Sequence, residues 1–144
     1  MSTRSYVCRK GHDGFDAIYV HWDGYPKGVG QTLLDHYTDS DKIEELFQLG
    51  SLSRLSPEIG EKHSFSNPTD NFCVAYGRDR GEPDTEMKRL QTMRDVASYA
   101  CGSWCEYLYV MIDGVWHVSG VPNKAYMFDS NNLHPLAKVL GEKR

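Results

Sequence analysis

Tyr107-Leu108-Tyr109-Val110-Met111-Ile112-Asp113-Gly114-Val115-Trp116-His117-Val118-Ser119 is the stretch that decides the fold. Apolar, β-prone runs over Trp104 to Ile112 and Val115 to Ser119 flank Asp113-Gly114, a pair that tolerates the positive φ of a two-residue turn. The segment therefore reads as a hairpin. A second hairpin is written near the start, with a strand over Arg4 to Arg9, a turn at Gly11-His12-Asp13-Gly14 and a strand over Phe15 to Trp22. In that last strand Phe15, Ala17, Tyr19 and His21 alternate with Asp16, Ile18, Val20 and Trp22. Apolar groups occupy both faces, so the strand is expected to be central or covered on both sides.

Helical blocks lie between the hairpins. Gln31 to Tyr37 places Leu33 and Leu34 inward. Asp41 to Leu49 repeats Ile43, Leu46, Phe47 and Leu49 at helical spacing, with capping oxygens at Thr38, Asp39 and Ser40 and a terminating Gly50. Glu86 to Tyr99 repeats Met87, Leu90, Met93, Val96 and Ala97, and Leu133, Leu136, Val139 and Leu140 suggest a short closing helix before a frayed Glu142-Lys143-Arg144. Phe72 to Tyr76 reads as a short buried strand, and residues 23–30, 52–71 and 77–85 as loops. The expectation is one α+β domain over residues 1–144. It has a largely antiparallel sheet of about five strands, with three or four helices packed on one side.

At 144 residues, 40% hydrophobic and 25% charged, the chain can bury a core without a metal or disulfide. A net charge of −4 argues against non-specific nucleic-acid binding, which needs a dense basic face. No apolar run approaches membrane-spanning length, and the opening residues hold no signal core, so a cytoplasmic protein is expected. Cys8, Cys73 and Cys105 fall in or beside strand-like runs, where a thiol behaves as a small hydrophobe. Cys101-Gly102-Ser103-Trp104-Cys105 has a three-residue spacer, unlike the two-residue spacer of zinc and redox motifs. No cofactor or metal is expected, and no catalytic signature is present.

Two strand exits concentrate the residues that can contact something outside the chain. His21-Trp22-Asp23-Gly24-Tyr25-Pro26 combines a titratable pair, His21 and Asp23, with stacking groups Trp22 and Tyr25. The plainer reading is a capped strand end. Tyr76-Gly77-Arg78-Asp79-Arg80-Gly81-Glu82 offers two guanidiniums that can clamp a phosphate or carboxylate, while Asp79 and Glu82 can equally neutralise them in place. Gly28-Val29-Gly30 can present N–H groups to an anion or simply allow the turn into the following helix.

The segments Ser2-Thr3-Arg4-Ser5, Ile18 to Pro26 with Gly28-Val29-Gly30, Leu49-Gly50 with Leu52-Ser53, Tyr76 to Glu82 and the Tyr107 to Trp116 hairpin resemble a family of small uncharacterised bacteriophage and prophage proteins. The resemblance implies a genetic setting and assigns no catalytic residue. It implies a phage accessory protein in the host cytoplasm that binds and inhibits a host protein, as an anti-CRISPR or other anti-defence factor. Two alternatives stand beside it: a module that sequesters or cleaves a nucleotide signal through Arg78 and Arg80, and a structural or assembly protein. The contact residues expected are His21, Trp22, Asp23, Tyr25, Tyr76, Arg78, Asp79, Arg80 and Glu82.

Overall fold

The computed structural model describes residues 2–142, so most of the expected frayed tail lies outside the described residues. In chain order the first half holds β1 (Ser5–Gly11), β2 (Gly14–Val20), α1 (Gln31–His36), α2 (Ser40–Leu49) and β3 (Leu52–Arg54). There follow β4 (Val74–Ala75), α3 (Tyr76–Arg80), β5 (Lys88–Leu90), α4 (Met93–Gly102), β6 (Tyr107–Ile112), β7 (Val115–Gly120), β8 (His134–Pro135) and α5 (Leu136–Val139). The strands form one sheet in the order β4-β3-β2-β1-β6-β7-β8, with β5 beside β2.

Both hairpins form, but only the second turns on Asp-Gly: Asp113 and Gly114 both take positive φ, with Tyr107 opposite Gly120, whereas the first turns on His12-Asp13, with Gly14 already in β2 opposite Gly11 and Ser5 opposite Val20. The sheet is nevertheless mixed and larger than expected. β1 pairs with β6 in parallel, from Ser5 beside Tyr107 to Arg9 beside Met111, and β2 pairs with β3 in parallel at Val20 and Leu52. Parallel neighbours require long crossovers. α1 and α2 supply one between β2 and β3, and most of the chain supplies the other. The outer edge of β2 is divided, taking β3 at Val20 and antiparallel β5 at Phe15 to Ala17.

Helices cover both faces, not one. Val7, Ile18, Val20, Tyr109, Trp116 and Val118 pack against Leu33 and Leu34 of α1, Ile43, Leu46 and Phe47 of α2, and Leu136 of α5. Tyr6, Cys8, Ala17, Leu108 and Val110 pack on the opposite face against Val96, Ala97 and Ala100 of α4. The two-sided apolar pattern of β2 required this arrangement. Each large side chain so buried contributes roughly 1.5–3 kcal/mol. Cys8, Cys73 and Cys105 are buried and unbridged. Polar tips inside the core find partners: Tyr37 donates to the Ser56 carbonyl, Tyr109 to the Gly24 carbonyl (both 2.6 Å), and the Trp116 indole to the Tyr37 carbonyl.

Several boundaries differ from the sequence reading: Leu52–Arg54 is a strand and Pro26–Gly30 a π-helical turn where loops were expected, and β2 ends at Val20, not Trp22. Lys88–Leu90 is a strand, and α4 starts at Met93 behind a capping box in which Thr92 and Asp95 satisfy each other's backbone N–H. Leu90 and Met93 happen to continue the spacing of Val96 and Ala97, which extends the apparent helix backward. Tyr76–Arg80 is a short helix where a loop was expected, and β6 begins at Tyr107, not Trp104.

Gly50 ends α2 at φ 75°, and a Cβ there would collide with the Thr85 carbonyl oxygen. Gly50→Ala is therefore expected to cost about 1–3 kcal/mol, read as a lower midpoint in denaturant unfolding.

Candidate functional site

The two strand exits do not form one pocket. They leave β3 on opposite sides and in opposite directions: His21 and Trp22 donate to the Leu52 and Ser53 carbonyls, whereas Tyr76 donates to Ser51. Among the described residues no hydrogen bond, ion pair or ring contact joins Arg78 or Arg80 to Trp22 or Tyr25.

The exit after β4 is built inward. Asp79, with no side-chain exposure, accepts from the Ala75 N–H at 2.8 Å, the His63 N–H at 3.2 Å and Arg78 Nε at 3.0 Å. Arg78 also donates to the Ile59 and Cys73 carbonyls, both at 2.8 Å. The Thr69 N–H donates to Nδ1 of His63, which leaves Nε2–H to donate to the Cys73 carbonyl. This cluster fastens the irregular segment 55–73 to β4 and α3. Burial pushes the Asp79 carboxyl up, but the bonds from Arg78 and the two N–H groups outweigh it and hold it below the usual carboxylate range. Arg80 bonds Glu82 at 2.7 Å and lies over the rings of Phe65 and Tyr76, at 4.5 and 4.9 Å from their centroids.

The exit after β2 is built outward. Trp22 and Tyr25 are 42% and 43% exposed, Trp22 standing edge-on to His21 and Tyr25 donating to Asp23 at 3.3 Å. Asp23 takes a positive φ of 58°. Its loop is anchored below by Gly24, whose N–H donates to the Thr3 carbonyl at 2.8 Å. A Cβ at Gly24 would approach that same carbonyl to 2.7 Å.

Residues that the sequence reading passed over stand at this same end. The N–H of Glu106 donates to the Arg4 carbonyl and that of Val121 to the Glu106 carbonyl, so the loops 2–4, 21–25, 103–106 and 121–123 share one rim. Ser103 closes α4, and Trp104 follows at φ 63°, with its N–H on Cys101 and the next N–H on Ala100. That left-handed position is ordinarily filled by glycine. Trp104 is 79% exposed. The strands carrying Trp22 and Trp104 flank β1 and so are about 10 Å apart.

Arg4 extends β1 opposite His21, and its buried Nε has no hydrogen-bond acceptor among the described residues. Burial first, then the Arg4 charge, lowers the His21 pKa below its ordinary value. A neutral ring accepts the Tyr19 hydroxyl at Nδ1, 2.8 Å away. An isolated arginine on an otherwise apolar strand face was the one available sequence signal here. Nothing local marked Trp104, because its exposure follows from where α4 stops. Among the described residues no group of three His, Cys, Asp or Glu could hold a metal, and no helix is long and apolar enough to cross a membrane.

Two outcomes test this geometry. Asp79→Ala is expected to cost about 3–5 kcal/mol and to open segment 55–73 to limited proteolysis. Because the folded carboxyl titrates below the unfolded one, its stabilisation is full above pH 3.8 and fades as pH falls through the depressed value, so wild-type cleavage should rise only in acid. Arg4→Gln is expected to raise the His21 midpoint toward its ordinary value, followed by NMR of the ring protons. No family model matches the chain, and neither the curated proteins nor the solved structures contain a significant match to it.

Proposed function

We propose that the chain is a phage accessory protein that works by binding a host protein, with Trp104, Trp22 and Tyr25 as its main contacts. Trp104 carries the reading. A bulky residue in the left-handed region costs roughly 1–2 kcal/mol relative to glycine, and an exposed indole gains nothing from the core. Holding the largest side chain in that position makes physical sense when a partner covers it, since Trp, Tyr and Arg dominate the energetics of protein interfaces. Trp22 and Tyr25 lie on the same rim on a loop tied to the sheet, so the surface is pre-organised. The resemblance to phage proteins supplies the setting, and inhibition of a defence enzyme is the outcome that setting favours. Arg78, Asp79, Arg80 and Glu82, engaged with one another and with the chain's own backbone, serve in this reading to hold the fold.

Stability and binding should move in opposite directions at Trp104. Trp104→Gly is expected to leave the fold at least as stable, by up to about 1 kcal/mol, because glycine suits the backbone there. The same change, and Trp22→Ala, should abolish stoichiometric capture of a host protein from lysate. Capture that survives both substitutions, or no partner from any host, would refute the proposal.

A further inference from the structure

The face of the sheet that carries α4 also holds a cleft of about 480 Å³, lined by Tyr6, Lys88, Ser98, Tyr99, Gly102 and Ser103. That volume lies within the range of roughly 300–1,000 Å³ usual for small-molecule sites. It adjoins the rim at Ser103 but lies on the face of α4, and nothing in the binding reading above depends on it.

Strand register sets out its floor. Tyr6 lies opposite Tyr19, with Arg4 and His21 in the row on one side and Cys8, Ala17 and Lys88 in the row on the other. Two cations therefore bracket a pair of tyrosines. They differ from the neighbouring arginines in one respect. Arg9 and Arg89 close on Asp16, Arg78 on Asp79 and Arg80 on Glu82, whereas among the described residues Lys88 and Arg4, like Arg54 and Arg94 elsewhere, form no ion pair. The Lys88 ammonium lies 5.2 Å from the Tyr99 ring centroid, and Tyr99 is 46% exposed at the cleft mouth. Tyr6 and Ser103 share a hydroxyl–hydroxyl bond of 3.2 Å. Burial raises the Tyr6 phenol, against the Ser103 bond, and burial pushes that of Tyr19 up to about 12, so both remain neutral donors at physiological pH.

We infer that this cleft binds a nucleotide unit, with its phosphate on Lys88 and its base against Tyr99 and Tyr6. A cation without an acid beside it attracts the phosphate, and flat aromatic groups give a base a sequence-tolerant surface worth about 1–3 kcal/mol. Ser98, Ser103 and Tyr6 offer hydroxyls to the sugar and base edges. Gly102 and Ser103 belong to the C-terminal end of α4, where the partial negative charge disfavours phosphate and favours an amino group. That polarity orients the ligand and selects adenine or cytosine over uracil. The shared chemistry is a phosphate joined to a base, whether as a free nucleotide or as one unit of a single strand.

Calorimetry of the full chain with AMP, UMP, adenosine, inorganic phosphate and a short oligoadenylate tests this. AMP is expected to bind saturably and more tightly than UMP, adenosine or phosphate. Lys88→Gln and Tyr99→Ala, both at exposed positions, should each weaken it by about tenfold or more while thermal unfolding stays at the wild-type temperature. Oligoadenylate binding more tightly than AMP identifies a strand as the source, and equal affinity identifies the free nucleotide. The inference is overturned by no AMP binding at millimolar concentration, by phosphate binding as well as AMP, or by affinity that survives both cleft substitutions.

Discussion

The structure depends on the parallel pairing of β1 with β6, five residue pairs joining strands about a hundred positions apart in sequence. This ladder places one hairpin beside the other and makes β1 the centre of the sheet. Once β1 is central, both of its faces must be buried, which assigns α1, α2 and α5 to one side and α4 to the other. It also fixes which loops meet. β1 and β6 begin where β2 and β7 end, so Arg4, the loop after Val20, the turn after α4 and the segment after Gly120 converge on one rim.

Much of the local architecture was legible because its signals are short-ranged. The Asp-Gly turn at residues 113–114, the existence of the first hairpin (though it turns on His12-Asp13, one residue earlier than Asp-Gly), the capped helix ending at Gly50, and the two-sided pattern of β2 all read from neighbouring residues. The parallel ladder was not legible, since nothing in Ser5–Arg9 names Tyr107–Met111 as its neighbour. Strand Lys88–Leu90 was hidden by a coincidence of spacing with α4. At the candidate site, residues alone singled out Trp22 and Tyr25 as stacking groups but left a capped strand end as the plainer reading; their exposure came from the structure. Nor could residues alone separate Arg78, bonded to two backbone carbonyls, from Lys88, which faces a ring and no acid. Which charge is spent internally and which is left over is a tertiary property.

The arrangement of charge gives the molecule a division of labour. Acid–base pairs are concentrated on the flank formed by β2, β4 and β5, where Asp16 and Asp79 organise arginines that would otherwise repel one another. The Asp79 cluster immobilises the long irregular segment 55–73, which has little regular structure of its own beyond the Glu58–Phe72 bridge. The exposed aromatics Trp22, Tyr25, Trp104 and Tyr99 stand elsewhere, on the rim and at the cleft beside α4. Rigid scaffold and presented surface are thus made from different residue classes in different places.

The sheet ends in very short strands on both sides. β4 contributes two residues, and β8 is His134–Pro135, whose proline has no N–H to offer. An extended peptide seeking to add itself as another rung would find almost no backbone to grip, so templated polymerisation along the edges is discouraged. Whatever docks on this molecule must read its side chains.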